Sequence, residues 1–464
     1  MKSQKTTYLL FISLVSAMGG LLFGYDWVVI GGAKPFYEPF FGICDSPVLQ
    51  GWAMSSALVG CLVGALIAGF FSDRYGRKKM LIISAALFLV SAVGTGAVNS
   101  FTPFILYRIL GGFAIGITSN LSPMYIAEVS PARLRGRFVS LNQLTIVLGI
   151  LAAQIVNWLL AEPVAAGATI ADIRNSWNGQ MGWRMMFWAE NIPAGLFFVM
   201  AFLIPESPRW LAVKGMKEQS FGIMSRIMGA DEARAQYEEM EQAISADRNR
   251  SSSQSLARIL HPSMRRVLMI GIVLAVFQQW CGINVIFNYA QEIFSSAGYG
   301  VSDILMNIVI TGVTNVVFTF VAIFLVDKLG RRPLLLIGAG GLALIYIMMA
   351  VVYYFQITGV VLLVVVVMAI ACYAMSLAPV MWVVVSEIFP NAVRGVAMSI
   401  ATFALWAACF VLTYTFPLLN SALGAAGTFA IYGLICLGGF LFIGRYVPET
   451  KNKSLEEIEK ELVK

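Results

Sequence analysis

Histidine is almost missing from this chain: His261 is the only one in 464 residues. A His-centred acid–base or metal site is therefore excluded as its organising chemistry. Charge is scarce as well, at 12% of residues against 59% hydrophobic, and a mean hydropathy of +0.79 leaves too little polar surface to coat a soluble domain. The six cysteines, at 44, 61, 281, 372, 409 and 436, form no CxxC or Cys/His spacing, and five lie inside apolar runs. Neither a disulfide framework nor a zinc site is expected from them. No nucleophile, metal or nucleotide motif stands out, which argues against an enzyme and against a bound cofactor or metal.

What the chain has in abundance is apolar sequence. A helix crossing a hydrocarbon core of ~30 Å needs about 20 such residues, and the stretches 8–32, 51–71, 80–98, 102–127, 138–160, 184–204, 267–294, 303–326, 334–354, 360–386, 396–417 and 426–446 each qualify. The first is too long, and too intact beyond any cleavage site, for a signal peptide. A net charge of +7 could point to nucleic acid, but nearly all of the 32 lysines and arginines fall in alternate loops and at the two ends. That is the positive-inside pattern, and it places both termini in the cytoplasm. The expected architecture is an all-α polytopic membrane protein whose solvent is the lipid bilayer, with no nucleic-acid partner.

The longest polar segment, 205–266, divides the spans six and six. Motifs recur across it in the same order. "GFFSDRYGRKK" with Asp73 follows the second span and "FLVDKLGRRP" with Asp327 follows the eighth. "AEVSPARLRGR" with Glu128 ends the fourth and "SEIFPNAVRGV" with Glu387 ends the tenth, and "PESPR" and "PETK" follow the sixth and twelfth. This is a duplicated six-helix unit. Its expected parts are a bundle at 1–204, a cytoplasmic helical linker at 205–266, a second bundle at 267–447 and a tail at 448–464. Gly76 and Gly330 permit tight reversals in the paired loops. Ser207 before Pro208 reads as a helix start, and Ser454 with Glu457 as a capping box. Parallel repeats with a binding site where they meet are a transporter architecture.

Ionisable groups inside the membrane cost about 2.5–3.5 kcal/mol on insertion scales and are functional candidates by default. Asp26, in "GGLLFGYDWVVIGGA", and Arg108 are the deep ones, whereas Lys34, Arg184 and Glu190 sit nearer the outer ends. Asp26 stands ~27 Å up the first span and Arg108 ~20 Å up the fourth, at 1.5 Å per residue. The two can meet. If they pair in one conformation and part in another, the acid's affinity for a proton changes with conformation, which is a coupling device.

A neutral polyol needs uncharged donors and acceptors and aromatic faces. The seventh span offers Gln278, Gln279, Asn284, Asn288 and Gln291. Asn284, Asn288 and Gln291 share one helical face, whereas Gln278 and Gln279 point elsewhere on an ideal helix. Gly282 lies between the groups, and a distortion there would let the amides converge. Asn315, Trp406, Gln143 and Trp382 add polar and aromatic groups in other spans.

The paired DRxGR-like loops, "PESPRW", "PETK", "RGR" after the fourth span, "FQQWCGINV" in the seventh and "MWVVVSEIFP" in the tenth resemble the sugar porter family of the major facilitator superfamily, over essentially the whole chain. The resemblance implies the major facilitator fold of twelve helices in two six-helix bundles, and a proton-coupled monosaccharide symporter taking a pentose or hexose, D-xylose first, by alternating access. It assigns proton coupling to Asp26 with Arg108. It places Gln143, Gln278, Gln279, Asn284, Asn315 and Trp382 at sugar-holding positions, with Trp406 lining the pocket; Phe23, three residues before Asp26, is expected to reach the sugar as well. Asp73, Arg74, Glu128, Arg135, Asp327, Arg332, Glu387 and Arg394 are expected to form the cytoplasmic latch. A monomer in the inner (plasma) membrane is implied. Ile150, Leu405 and Asn288 replace two Gln and a gate Tyr of a proton-coupled member, and Ala378 replaces a Gly beside the tenth-span proline. A facilitative uniporter, an exporter of organic cations and a transporter-like sugar sensor are the rival readings. The acid at position 26, the amide-rich seventh span and the short tail weigh against them in turn.

Overall fold

The computed structural model describes residues 2–131, 134–165, 167–248, 262–296, 298–357, 359–389 and 394–451. The expected tail capping box and His261 lie outside them. Every regular element among the described residues is helical. The first five spans are α1 (Lys2–Phe41), α2 (Pro47–Tyr75), α3 (Arg77–Ala97), α4 (Phe101–Val129) and α5 (Arg135–Leu160). A short helix α6 (Ile170–Asn175) precedes α7 (Trp183–Ala189) and α8 (Asn191–Ala201), which together make the sixth span. Short helices α9 (Pro208–Val213), α10 (Lys217–Met228) and α11 (Ala230–Arg248) follow it. The second half holds α12 (Pro262–Trp280), α13 (Ile283–Asn288), α14 (Ala290–Ser295), α15 (Val301–Leu329), α16 (Arg331–Tyr354), α17 (Val360–Met375), α18 (Leu377–Ile388) and α19 (Arg394–Tyr446).

Among the described residues, ten helices are long and apolar enough to cross a membrane. The expected twelve spans are recovered because α19 changes direction at Gly424 and so holds two, and because the sixth span is broken. Pro193 explains that break: it has no N–H to offer the carbonyl four residues earlier, so α7 ends at Ala189 and leaves Glu190 between two helices.

Two boundaries differ from the sequence reading. The first span was expected to stop at residue 32, before Lys34 and Pro35, yet α1 runs on to Phe41 through Pro35 and Pro39. Prolines are tolerated in membrane helices whose freed carbonyls find other partners, and the Lys34 ammonium is neutralised by carboxylates of Glu38 and Glu292. Likewise Pro417 does not end the eleventh span. In the linker, the Ser207 hydroxyl accepts from the Trp210 N–H with Pro208 in the first turn, so the N-cap forms where the sequence placed it.

The chain divides into two compact units. One comprises Met1–Trp27, Val59–Ala152 and Phe187–Ser252; the other comprises Val28–Leu58, Ala153–Met186 and Ser253–Lys464. In the first unit, small residues set the spacing of α1. Gly19 abuts Ser122 and Thr118 of α4, and Gly20 abuts Asn142 and Thr145 of α5. Thr145 Oγ1 donates to the Ala17 carbonyl at 2.8 Å, and Ser16 Oγ to that of Ser122 at 3.2 Å. Close approach through small residues and interhelical hydrogen bonds is how membrane helices hold together without a hydrophobic driving force.

Candidate functional site

The contacts that fix α1 against α4 carry upward to Asp26. The two helices are antiparallel, so seven residues beyond Gly19 on α1 is about seven residues before Thr118 on α4, at Gly111. A Cβ on Gly111 would lie 2.9 Å from Asp26 Oδ2 and 2.5 Å from Ser91 Oγ, so glycine makes the space the carboxylate occupies. Arg108, one turn further, donates through Nη1 to Asp26 Oδ1 and through Nη2 to the Asp26 carbonyl at 3.2 Å. Both residues are 2% exposed. The Arg108 guanidinium also lies 5.6 Å from the centroid of the Phe187 ring.

The pair is not fully satisfied. Asp26 Oδ2 and Arg108 Nε are buried with no hydrogen-bond partner. A third ionisable group stands in the same field: Glu190, 2% exposed, interacts electrostatically with both Asp26 and Arg108. Sequence counting had put it near an outer end. The helical backbone of Glu190, with its carbonyl accepting from the Ala194 N–H at 3.0 Å, carries no sequence signal for that meeting. One guanidinium therefore faces two buried carboxylates, an arrangement with room for a proton.

The second unit holds the amides. Gly282 adopts φ 86° and ψ −2°, a left-handed conformation that L side chains rarely enter, and it ends α12 and starts α13. That reversal turns Asn284 back onto the preceding turn. Asn284 Nδ2 donates to Gln279 Oε1, and Gln279 Nε2 lies 3.5 Å from Gln278 Oε1. Asn284 Nδ2 also lies 3.6 Å from Cys409 Sγ, one turn from the buried Trp406. Three amides that an ideal helix would scatter are thus in one chain of contacts. Gln278, Gln279, Asn288 and Asn315 are buried and Trp382 is half-buried. In the first unit, Gln143 is exposed and Phe23 half-buried, its ring packed edge-on against Trp27 at 6.0 Å. The tenth span breaks at Ser376, just before Ala378 and Pro379.

At the ends of α2 and α4, and of α15 and α18, similar devices recur. Arg77 donates from Nε and Nη2 to both oxygens of Glu128, at 3.0 and 3.1 Å, and from Nη1 to Asp73 at 2.9 Å. Ser207 Oγ donates to Glu128 at 2.5 Å. In the other half Arg331 Nη2 donates to Glu387 at 3.4 Å. The arginines differ from those the sequence nominated. Arg74 is exposed with its guanidinium over the Tyr75 ring, and Arg332 donates to the Gly444 carbonyl. The reason is the reversal at Gly76 (φ 97°) and Gly330 (φ 93°), which puts the residue immediately after the glycine inside. Arg135 donates to the Ala127 carbonyl at 3.1 Å. The side chains of Asp327 and Arg394 lie outside the described residues.

Two glutamates that the sequence reading passed over complete these ends. Glu206 accepts from the backbone N–H groups of Arg77 and Lys78, and Glu449 from those of Arg331 and Arg332 at 3.1 Å each. A carboxylate on the first N–H groups of a helix satisfies orphan donors and complements the dipole. Burial acts to raise the Glu449 carboxyl, but hydrogen bonds from Lys451, Arg331, Arg332 and Thr450 outweigh it and hold the carboxyl below its ordinary value. A depressed carboxyl stabilises the fold above its unfolded value, and that contribution is lost as pH falls through the folded one. Glu449→Gln is therefore expected to lower stability by about 1–3 kcal/mol at neutral pH and by less under acid conditions. Thermal unfolding in detergent at both pH values checks this, and an equal loss at both would refute it.

Among the described residues no cluster of three His, Cys, Asp or Glu side chains is arranged to hold a metal ion. Apolar membrane-spanning helices, an ion pair sealed within one unit and an uncharged amide chain within the other define a membrane carrier of small polar solutes. The comparisons give the family. Residues 12–462 match the family described as "Sugar (and other) transporter", and the chain belongs to that family. It is 40% identical to the D-xylose-proton symporter of Escherichia coli (strain K12), over 98% of this chain and 96% of that one. It is 38% identical to the arabinose-proton symporter of Bacillus subtilis (strain 168), over 100% and 97%. The solved inward-open xylose transporter of E. coli superposes with a TM-score of 0.85 at 37% identity, covering 98% of this chain and all of that one. The fold is the twelve-helix major facilitator fold.

Proposed function

We propose that this chain is a proton-coupled monosaccharide symporter of alternating-access type, taking a pentose or hexose with D-xylose first. The observation that carries the proton coupling is the sealed Asp26–Arg108 pair with Glu190 in its field. Asp26 takes the proton when Arg108 moves off it and releases it when the pair re-forms; Arg108 stays charged throughout. Gln278, Gln279 and Asn284 supply the hydrogen bonds to sugar hydroxyls, with Asn315, Gln143, Trp382, Trp406 and Phe23 as the remaining contacts. Relatives named for xylose and arabinose symport with protons, at 40% and 38% identity over nearly full length, support the substrate class and the coupling. Ile150 and Leu405 leave the pocket fewer polar groups than the resemblance called for, so the order of preference among sugars is this chain's own. The cytoplasmic networks around Glu128 and Glu387 serve as the latch. The protein works as a monomer in the inner membrane with both termini in the cytoplasm.

The test is uptake into proteoliposomes with and without an imposed pH gradient, competed by xylose, glucose, galactose and arabinose. The expected result is accumulation that follows the gradient and is inhibited most by xylose. Saturable uptake indifferent to the gradient would replace symport by facilitated diffusion, and no uptake of any monosaccharide would overturn the reading.

A further inference from the structure

Lys34 follows Asp26 by eight residues on α1 and is 1% exposed. An ammonium this far from solvent needs compensation, and three groups provide it. Glu38, one turn on, has Oε1 at 3.4 Å. Glu292 of α14 pairs with the ammonium directly. The Tyr289 ring centroid lies 4.9 Å from Nζ. Tyr289 is itself fixed, since its hydroxyl donates to the Thr413 carbonyl at 2.6 Å and its ring packs on Phe416 at 4.5 Å. The backbones meet at the same level: a Cβ on Gly31 would lie 3.1 Å from the Asn288 carbonyl oxygen and 3.2 Å from that of Phe287.

The segment joined to α1 in this way is unusual. α13 is six residues long and is interrupted at both ends, by left-handed Gly282 and by Tyr289 at φ −122° and ψ 27°. It carries Asn284, in the amide chain, and Asn288, whose Oδ1 is buried without a partner. Helical hydrogen bonding holds such a segment only weakly to its neighbours, because each break removes ladder bonds. Its orientation then depends on what grips its ends. At the Gly282 end that grip is the chain itself; at the Tyr289 end it is Lys34 on the α1 side and the Thr413 carbonyl with Phe416 on the α19 side.

We propose that Lys34 is a positioning residue: its ion pair with Glu292 and its seat on Tyr289 lock α13 against α1, and the lock must break before α13 can swing and admit sugar from outside. The lock rests on the reading of Asn284 as a sugar ligand only for its transport consequence; the geometry stands without it. An outward-competent state held at low population by the lock lowers apparent affinity from outside by that population. Releasing the lock raises it.

The experiment compares the full chain with Lys34→Met, Lys34→Arg, Glu292→Gln and the exchange Lys34→Glu with Glu292→Lys. Hydrogen exchange of the peptide spanning 283–296 and the external KM for D-xylose are both read. Lys34→Met and Glu292→Gln are expected to speed exchange there about tenfold, leave 77–129 unchanged, and lower external KM several-fold while slowing turnover. Lys34→Arg and the charge exchange are expected to restore both readouts. Unaltered exchange in 283–296, or a rise spread evenly over the chain, would overturn the proposal. If Lys34→Met does not fold, the isosteric Glu292→Gln decides it in the same way. Absence of xylose uptake in the parent would count against the proposed function, and the exchange measurement would still judge the lock.

Discussion

Asp26→Asn abolishes accumulation of sugar against a gradient and leaves sugar exchange across the membrane running. The amide keeps the shape of the carboxylate and can still accept from Arg108, so the contact between α1 and α4 persists, but it has no proton to take up or release. With one proton per sugar, a pH gradient of one unit is worth about 1.4 kcal/mol, or roughly tenfold accumulation. The parent is expected to approach that ratio and the variant to stop at equal concentrations inside and out. The substitution leaves the buried guanidinium short of one counter-charge. Such losses commonly cost about 3–5 kcal/mol, and Glu190, which lies in the field of Arg108, is the carboxylate able to take up the counter-charge once Asp26 is an amide. Asp26→Asn should therefore fold, whereas Asp26→Asn combined with Glu190→Gln should not. Proteoliposome uptake and counterflow, with size-exclusion profiles of both variants, decide the matter. Accumulation by the single variant would remove Asp26 from the coupling mechanism.

How much of this was legible beforehand follows from what kind of information each feature needs. Asp26 and Arg108 stood out because an ion in an apolar run is expensive wherever it points, and their meeting required only two helix starts and a rise per residue. The duplicated half showed itself through repeated loops. The choice between Arg74 and Arg77, and between Arg332 and Arg331, did not, because it depends on the backbone leaving Gly76 and Gly330 at positive φ. The motif shows that a reversal exists but not which side chain it turns inward. Glu190 was read as nearer an outer end, and only coordinates bring it into the field of Asp26 and Arg108. Lys34 was read as a boundary, since its two carboxylate partners lie four residues on and in a different span. The amides of the seventh span sit between these cases. Gly282 announced a distortion, and only coordinates show that it brings Asn284 onto Gln279.

A large structural penalty is also expected at an uncharged position, Gly24, two residues before Asp26. A Cβ there would lie 2.0 Å from the Ile146 carbonyl oxygen and 3.0 Å from the Ile150 nitrogen, and Gly149 of α5 meets Leu21 and Tyr25 of α1 at matching distances. Both neighbours are backbone, so no rotamer change relieves the clash and the two helices must move apart. That separation also breaks the hydrogen bond from Thr145 to Ala17, about two turns below, and shifts Asp26 relative to Arg108. Overpacking in interiors typically costs about 1–3 kcal/mol; with backbone on both sides and a branched side chain, Gly24→Val belongs at or above the upper end. Gly69→Ala is the control, since nothing lies within 4 Å of the added carbon, and it should stay within about 0.5 kcal/mol of the parent. Tm in detergent separates the two, and counterflow shows whether any Gly24→Val that folds still binds sugar. If Gly24→Val kept the parental Tm, the close passage of α1 and α5 would not be the feature that holds Asp26 in place, and the contacts with α4 through Gly19 and Gly111 would have to suffice alone.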